Sequence, residues 1–172
     1  MKSRMERVLE EDIIRKSKEY REYIEEHIEN VHKAFDIIAI KLLEENLITK
    51  EIFENVKGRL NEHDKSKFSQ EEFGPYRMYF YPINEFEKEQ SKKLFDQAVD
   101  HHYKNNSHHP EYHNGNPMPE EDIVEMICDW EGMGIKFGGT AKEWYYKNKK
   151  EIDGKLHDDT IFILNNFFAV LK

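Results

Sequence analysis

Apolar residues recur at three- and four-residue steps from Ile24 through Ile28, Val31, Phe35, Ile38 and Leu42, the period at which side chains fall on one face of an α-helix. The spacing predicts a long first helix that ends near Asn46. Val8, Ile13 and Ile14 carry a similar spacing through the charged segment from Met1 to Tyr20, which predicts either a separate preceding helix or an extension of this one. Thr49 is placed to N-cap a helix running to about Asn61, and Ser69 with Glu72 reads as a capping box that opens another short helix. After the aromatic stretch from Pro75 to Pro82, Asn84 can cap a helix whose stripe holds Leu94, Phe95, Ala98, Val99 and His102.

Residues 104–118, rich in Asn, Pro, Gly and His, read as a loop of functional length. Pro119 opens the next helix, whose stripe is Ile123, Met126, Ile127 and Trp130 with Asp129 at its edge. Gly132, Gly134 and the Gly138-Gly139 pair are its stop signals. Thr140 with Glu143 forms another capping box, and the apolar run from Ile161 to Leu171 closes the chain. No segment alternates with the period of a strand, and there is no internal repeat. The pattern predicts an all-α fold, one domain over residues 1–172 built as a bundle of about six to eight helices.

Composition narrows the function classes. The 172 residues are 38% hydrophobic and 35% charged, and their 13% aromatic content opposes disorder and predicts an aromatic-rich core. The net charge of −9 comes without a basic stripe, which argues against a grip on nucleic-acid backbone and leaves room for a small anionic substrate at a local positive site. Cys128, the one cysteine, excludes an internal disulfide. Charged residues follow Met1 where a secretory signal would be apolar, and no run approaches the roughly 18 apolar residues of a membrane span. The expectation is a cytoplasmic protein with no membrane partner.

Five of the nine histidines lie between His101 and His113, and others stand beside acids or on apolar stripes. Imidazole and carboxylate are the usual ligands of Mn, Fe, Co, Ni and Zn, so this clustering predicts one or two divalent transition-metal ions. His32 flanks the apolar face of the first helix. His63-Asp64 is an adjacent pair whose side chains diverge by about 100° on a helical backbone, enough to bind one metal and bridge to another. His102 ends its stripe, whereas His101 is rotated to the flank. His108-His109 lies in the long loop, and Asp129 borders an apolar stripe where a carboxylate needs compensation. Plainer readings stand beside these: a satisfied core histidine for His32, a solvated turn for His108-His109, a buried ion pair for Asp129. His27, His113 and His157 read as surface residues.

The order His, His-Asp, His, His-His, Asp resembles the HD-domain superfamily of metal-dependent phosphohydrolases. The segment His63-Asp64-Lys65-Ser66-Lys67 is similar to the His-Asp-x-Gly-Lys segment of the branch that cleaves cyclic dinucleotides, with Ser66 in place of glycine. The blocks HDKSKFSQEEFGPYRMYFY, HHYKNNSHHPEYH and EMICDW also resemble an uncharacterised bacterial and phage family of short proteins. The resemblance spans roughly residues 25 to 135, with C-terminal helices over 140–171 beyond it. It implies an HD-like helical domain with metal ligands at His32, His63, Asp64, His102, His108 or His109, and Asp129. No Gly-Tyr-Pro signature follows His109, so cyclic-dinucleotide cleavage is not implied.

With two metals held, Asp64 is the natural bridging carboxylate, and such a pair lowers the pKa of a shared water from about 15.7 towards about 7. Lys67, and behind it Arg77, could neutralise phosphate oxygens; Tyr76, Tyr79 and Tyr81 could stack on a base, or fill the core. The leading expectation is hydrolysis of a small phosphate ester, a nucleotide first among them. Oxygen chemistry as in the related di-iron inositol oxygenases, and a non-catalytic module that binds metal or nucleotide, are the two alternatives.

Overall fold

The computed structural model describes residues 3–171. Among them there is no strand, and seven α-helices carry the chain: α1 (Arg4–Glu44), α2 (Lys50–Arg59), α3 (Phe73–Phe80), α4 (Glu85–Asn105), α5 (Glu120–Phe137), α6 (Ala141–Asp153) and α7 (Asp158–Val170). Short 3-10 turns occupy Leu60–Glu62, Lys65–Phe68 and Pro110–His113. The charged N-terminal segment extends the first helix, so α1 is 41 residues long. Thr49 and Thr140 cap α2 and α6, the latter with the full reciprocal box to Glu143. Ser69 and Glu72 form no such box: α3 opens at Phe73 without a side-chain cap, because both oxygens of Glu72 are bonded to His101 and His102.

The chain divides into two compact units, each discontinuous in sequence, although composition shows no break. One unit takes the residues up to Glu26 with Asp64–Asn105, and the other takes His27–His63 with Asn106–Lys172.

Aromatic packing builds the first unit. Tyr20, 2% exposed, lies against Phe73 and Tyr81 with ring centroids at 5.2 and 5.7 Å. Tyr79 stacks on Phe95 at 4.0 Å, and Tyr76 meets the same ring edge-on at 5.2 Å. The three tyrosines weighed as base-stacking residues are therefore packed against aromatic neighbours in this unit. The buried positions of α4 are Ser91, Ala98 and His102, whereas Leu94, expected on its stripe, is 47% exposed. Two small side chains on that face let α3 lie close.

In the second unit the core joins Val31, Ala34, Phe35, Ile38 and Leu42 of α1 to Ile123, Met126 and Ile127 of α5 and to Leu164 and Phe168 of α7. Helix α5 is buried all round from Asp122 to Cys128, so the acids it carries there need partners. It continues through Gly132 and Gly134, expected as stop signals, and ends at Gly138 and Gly139, whose φ angles of 89° and 92° are open to glycine. Gly132 serves close packing: a Cβ there would stand 2.9 Å from Val31 Cγ2 and 3.0 Å from Val31 N. Gly132→Ala should destabilise the fold by about 1–2 kcal/mol, overpacking outweighing the gain in helix propensity. Chemical denaturation tests this, and a stabilised variant would contradict it.

Candidate metal centre

Three imidazoles and two carboxylates of the second unit share one buried space. His27 stands three residues after Ile24 and four before Val31, both fully buried, so the helical period turns it inward and leaves it 3% exposed. His63 follows the Leu60–Glu62 turn, its N–H bonded to the Leu60 carbonyl at 3.2 Å. His108 comes from the loop after α4, and Glu125 and Asp129 lie one turn apart on α5. His63, His108 and Glu125 are buried; the Asp129 side chain is 15% exposed.

His27 Nε2 is 2.9 Å from Asp129 Oδ1, and His63 Nε2 is 3.8 Å from the same oxygen. On its other side, His63 Nδ1 lies 3.0 Å from Glu125 Oε1, which His108 Nδ1 approaches at 3.4 Å. One donor atom from each of His63, His108 and Glu125 lies within 4.8 Å of the others, and so do donor atoms of His27, His63 and Asp129. An ionised carboxylate only accepts hydrogen bonds, so Glu125 holds the protons of both histidines at Nδ1 and leaves their Nε2 atoms as the donors. This carboxylate–histidine arrangement orients imidazoles at metal sites.

Burial works to raise the Glu125 carboxyl, but hydrogen bonds from His108 and His63 outweigh it and hold the group below the ordinary carboxylate range. At Asp129 burial again opposes the charge, yet the surrounding imidazoles, His27 first, hold it well below that range. Cys128 goes the other way: burial, with Glu125 and Asp129 beside it, pushes its thiol well up and makes it a poor thiolate ligand or nucleophile.

Glu125 also faces a cation. Its Oε2 is 2.9 Å from Arg59 Nη2, which bonds Asp122 Oδ1 as well and donates to Ser107 Oγ at 2.8 Å. Ser107 Oγ in turn donates to Asp122 Oδ1 at 2.7 Å. His113 Nε2 completes this network, 2.7 Å from the Ser107 carbonyl and 3.3 Å from Asp122 Oδ2.

The first unit orients a further histidine. Asp64 adopts the left-handed backbone region (φ 56°), a conformation uncommon outside glycine and frequent where function demands a particular side-chain direction. Its Oδ1 lies 3.3 Å from His102 Nε2, and its Oδ2 accepts from Lys67 Nζ at 2.6 Å. His102 Nδ1 faces Glu72 Oε2 at 2.9 Å, and the other oxygen of Glu72 takes His101 Nδ1 at 2.7 Å. Ser66 Oγ, in the position of the motif glycine, is 3.2 Å from His102 Nδ1. Burial opposes ionisation of Glu72, but the bonds to His102 and His101 lower its pKa.

Placed against the sequence expectations, His63, His108 and Asp129 come together in one unit, and Asp64 pairs with His102 in the other. His102 is 3% exposed against 34% for the His101 side chain, as its stripe position implied. His109 is half-buried, its ring 4.2 Å from that of His108. His32 is half-buried and belongs to none of the candidate ligand groups found among the described residues. His27 and His113, read as surface residues, are instead enclosed by Asp129 and Asp122, with side-chain exposures of 4% and 10%. Arg77 is buried with its guanidinium bonded to Glu87 at 2.8 Å, the arrangement of a structural ion pair. The reading overlooked Glu72, Glu125 and Arg59. A visible signal existed for Glu125, an acid one turn before Asp129 and the single charge in the stretch from Ile123 to Cys128.

Fold and cluster together define an all-helical protein with a buried histidine–carboxylate centre. Residues 16–170 match the family of unknown function DUF5662, and the chain belongs to that family. No curated protein and no solved structure matches it. No helix among the described residues is long and apolar enough to cross a membrane.

Proposed function

We propose that the chain is a metal-dependent phosphohydrolase of the HD type, acting on a small phosphate ester, with nucleotides as the first class to test. One observation carries this reading: His63 lies in a candidate ligand group with His27 and Asp129 and in another with His108 and Glu125, and Glu125 orients two of the imidazoles. The chemistry of that donor set fits a divalent transition metal, and the ionised acids compensate its charge. In chain order, with His27 in place of His32 and His108 taken from the His108-His109 pair, these residues follow the order His, His-Asp, His, His-His, Asp on which the HD resemblance rests.

Within the second unit His27, His63 and Asp129 would hold an ion, with His108 the further imidazole; within the first unit Asp64 and His102 form a donor pair of their own. A bound divalent ion would supply Lewis acidity and a readily deprotonated water at neutral pH. The residues of the chain do the positioning. Glu125 keeps the protons of His63 and His108 at Nδ1, Glu72 does the same for His102, and Lys67 holds the Asp64 carboxylate in place.

The test is elemental analysis of protein purified without added metal, followed by thermal melts and phosphate release from a panel of esters with Mn, Co, Ni and Mg. Metal at about a hundredfold excess over its Kd should stabilise the fold by about 2.7 kcal/mol, and at least one metal should support phosphate release. Bound metal with no phosphate released under any of them would leave a binding module. Iron with oxygen-dependent turnover would replace the hydrolase by an oxygenase.

A further inference from the structure

Ser3 and Glu6 cap the start of α1 reciprocally: Glu6 N donates to Ser3 Oγ at 3.2 Å, and Ser3 N donates to Glu6 Oε2 at 2.6 Å. Arg15 braces the following turns through Asp12 at 2.6 Å and Glu19 at 2.9 Å. The step of about 100° per residue gathers Val8, Met5, Leu9 and Ile13 into one arc of about 140°. Tyr20, about three turns beyond Leu9, falls in the same arc and is buried in the core of the first unit. Nearer the start of the helix that face is uncovered: Met5 is 83% exposed and Val8 51%. The apolar surface continues onto α4, where Leu9 lines an open hollow with Met78, Ile83, Phe86 and Leu94, and Phe86 is 74% exposed. Scattered exposed apolar side chains are ordinary, but a contiguous set on a capped helix and its neighbour marks an interface.

We propose that this face docks a second copy of the chain, the two α1 segments lying antiparallel about a two-fold axis at Val8. Charge selects that occupant. Among its apolar residues the face carries one acid, Asp12, four residues after Val8, and Arg4 stands on its edge four residues before Val8. An antiparallel two-fold brings together residues equally far from the axis on either side. Arg4 of each copy therefore meets Asp12 of the other, with Glu11 beside it, and the contact forms twice. A parallel pairing would instead set Arg4 against Arg4 and Asp12 against Asp12, which repel. Met5 and Leu9 close over the axis onto Leu9 and Met5 of the other copy, and Asp12 is the polar position that fixes the register of an apolar seam. An anionic lipid surface fits less well, because Arg4, Arg7 and Arg15 are outnumbered by Glu6, Glu10, Glu11 and Asp12.

Sedimentation equilibrium of the full chain tests this with wild type, Val8→Asp, Arg4→Asp, Asp12→Arg and the double variant Arg4→Asp/Asp12→Arg. Wild type should dimerise with a Kd of about 10 µM or tighter. Val8→Asp sets two like charges on the axis and should raise that Kd at least about a hundredfold, and each single reversal should raise it about tenfold. The double variant restores opposite charges across the seam and should return to within about threefold of wild type. Arg4 and Val8 are exposed and Asp12 half-exposed, so the circular dichroism of the dissociated variants should match that of dilute wild type. A wild type that stays monomeric at about 100 µM would overturn the proposal, and so would a dimer indifferent to Val8→Asp. Failure of the double variant to recover where both singles dissociate would overturn the antiparallel pairing. A monomer that sediments with phosphatidylglycerol vesicles would also overturn it, and would give the face to a lipid surface.

Discussion

Replacing His63 by alanine is expected to abolish metal binding at the centre, with affinity falling by more than the roughly 100-fold that loss of a partner behind a ligand produces. His63 is engaged on both sides: Nε2 faces the oxygen of Asp129 that His27 also approaches, and Nδ1 is held by Glu125. Removing it takes a donor from both candidate ligand groups of the second unit. Metal-free stability should fall by only about 1–3 kcal/mol, because Glu125 keeps His108 and Arg59 while a small cavity opens. Calorimetric titration with Mn or Co, paired with denaturation of the metal-free variant, separates the two effects. His27→Ala should behave alike and His32→Ala should leave metal affinity unchanged. The reverse pattern would return the first-helix ligand to His32.

Glu125→Ala is expected to be the most destabilising change at the centre, by about 3–5 kcal/mol, because a buried charge network loses one partner and keeps the others. Arg59 would retain Asp122, but the Nδ1 protons of His63 and His108 would lose their acceptor, and with it the force that fixes tautomer and ring direction. Metal affinity should drop about 10–100-fold in whatever fraction folds. Glu125→Gln keeps the volume and one accepting oxygen but turns an amide towards either Arg59 or an imidazole, so it should fall between wild type and alanine. A glutamine variant with wild-type metal affinity and pH dependence of binding would reduce Glu125 to a structural role.

These predictions depend on residues of very different legibility. Helix α1, the Thr49 and Thr140 caps, Pro119 before α5 and the Gly138-Gly139 stop follow from period and local backbone chemistry within a few residues, and the sequence reading placed them close to where they lie. Choosing between His27 and His32 was a different problem. The two are roughly 140° apart on the helix, each at one edge of a broad apolar face, and local pattern does not say which edge meets acids. The packing of α5 against α1, close enough to demand Gly132, puts Asp129 beside His27.

The same division explains Ser69 and Glu72. A capping box contributes about 1 kcal/mol, and a buried carboxylate accepting two imidazole N–H bonds gains more, so the tertiary contact displaced the local one. Sequence alone determined that this chain is helical, where most of its helices begin and end, and that histidines and acids are its candidate site residues. Tertiary structure decided which of those side chains meet, because Glu125 with His63, Asp129 with His27 and Arg59 with Asp122 join positions tens of residues apart, beyond the reach of any local propensity.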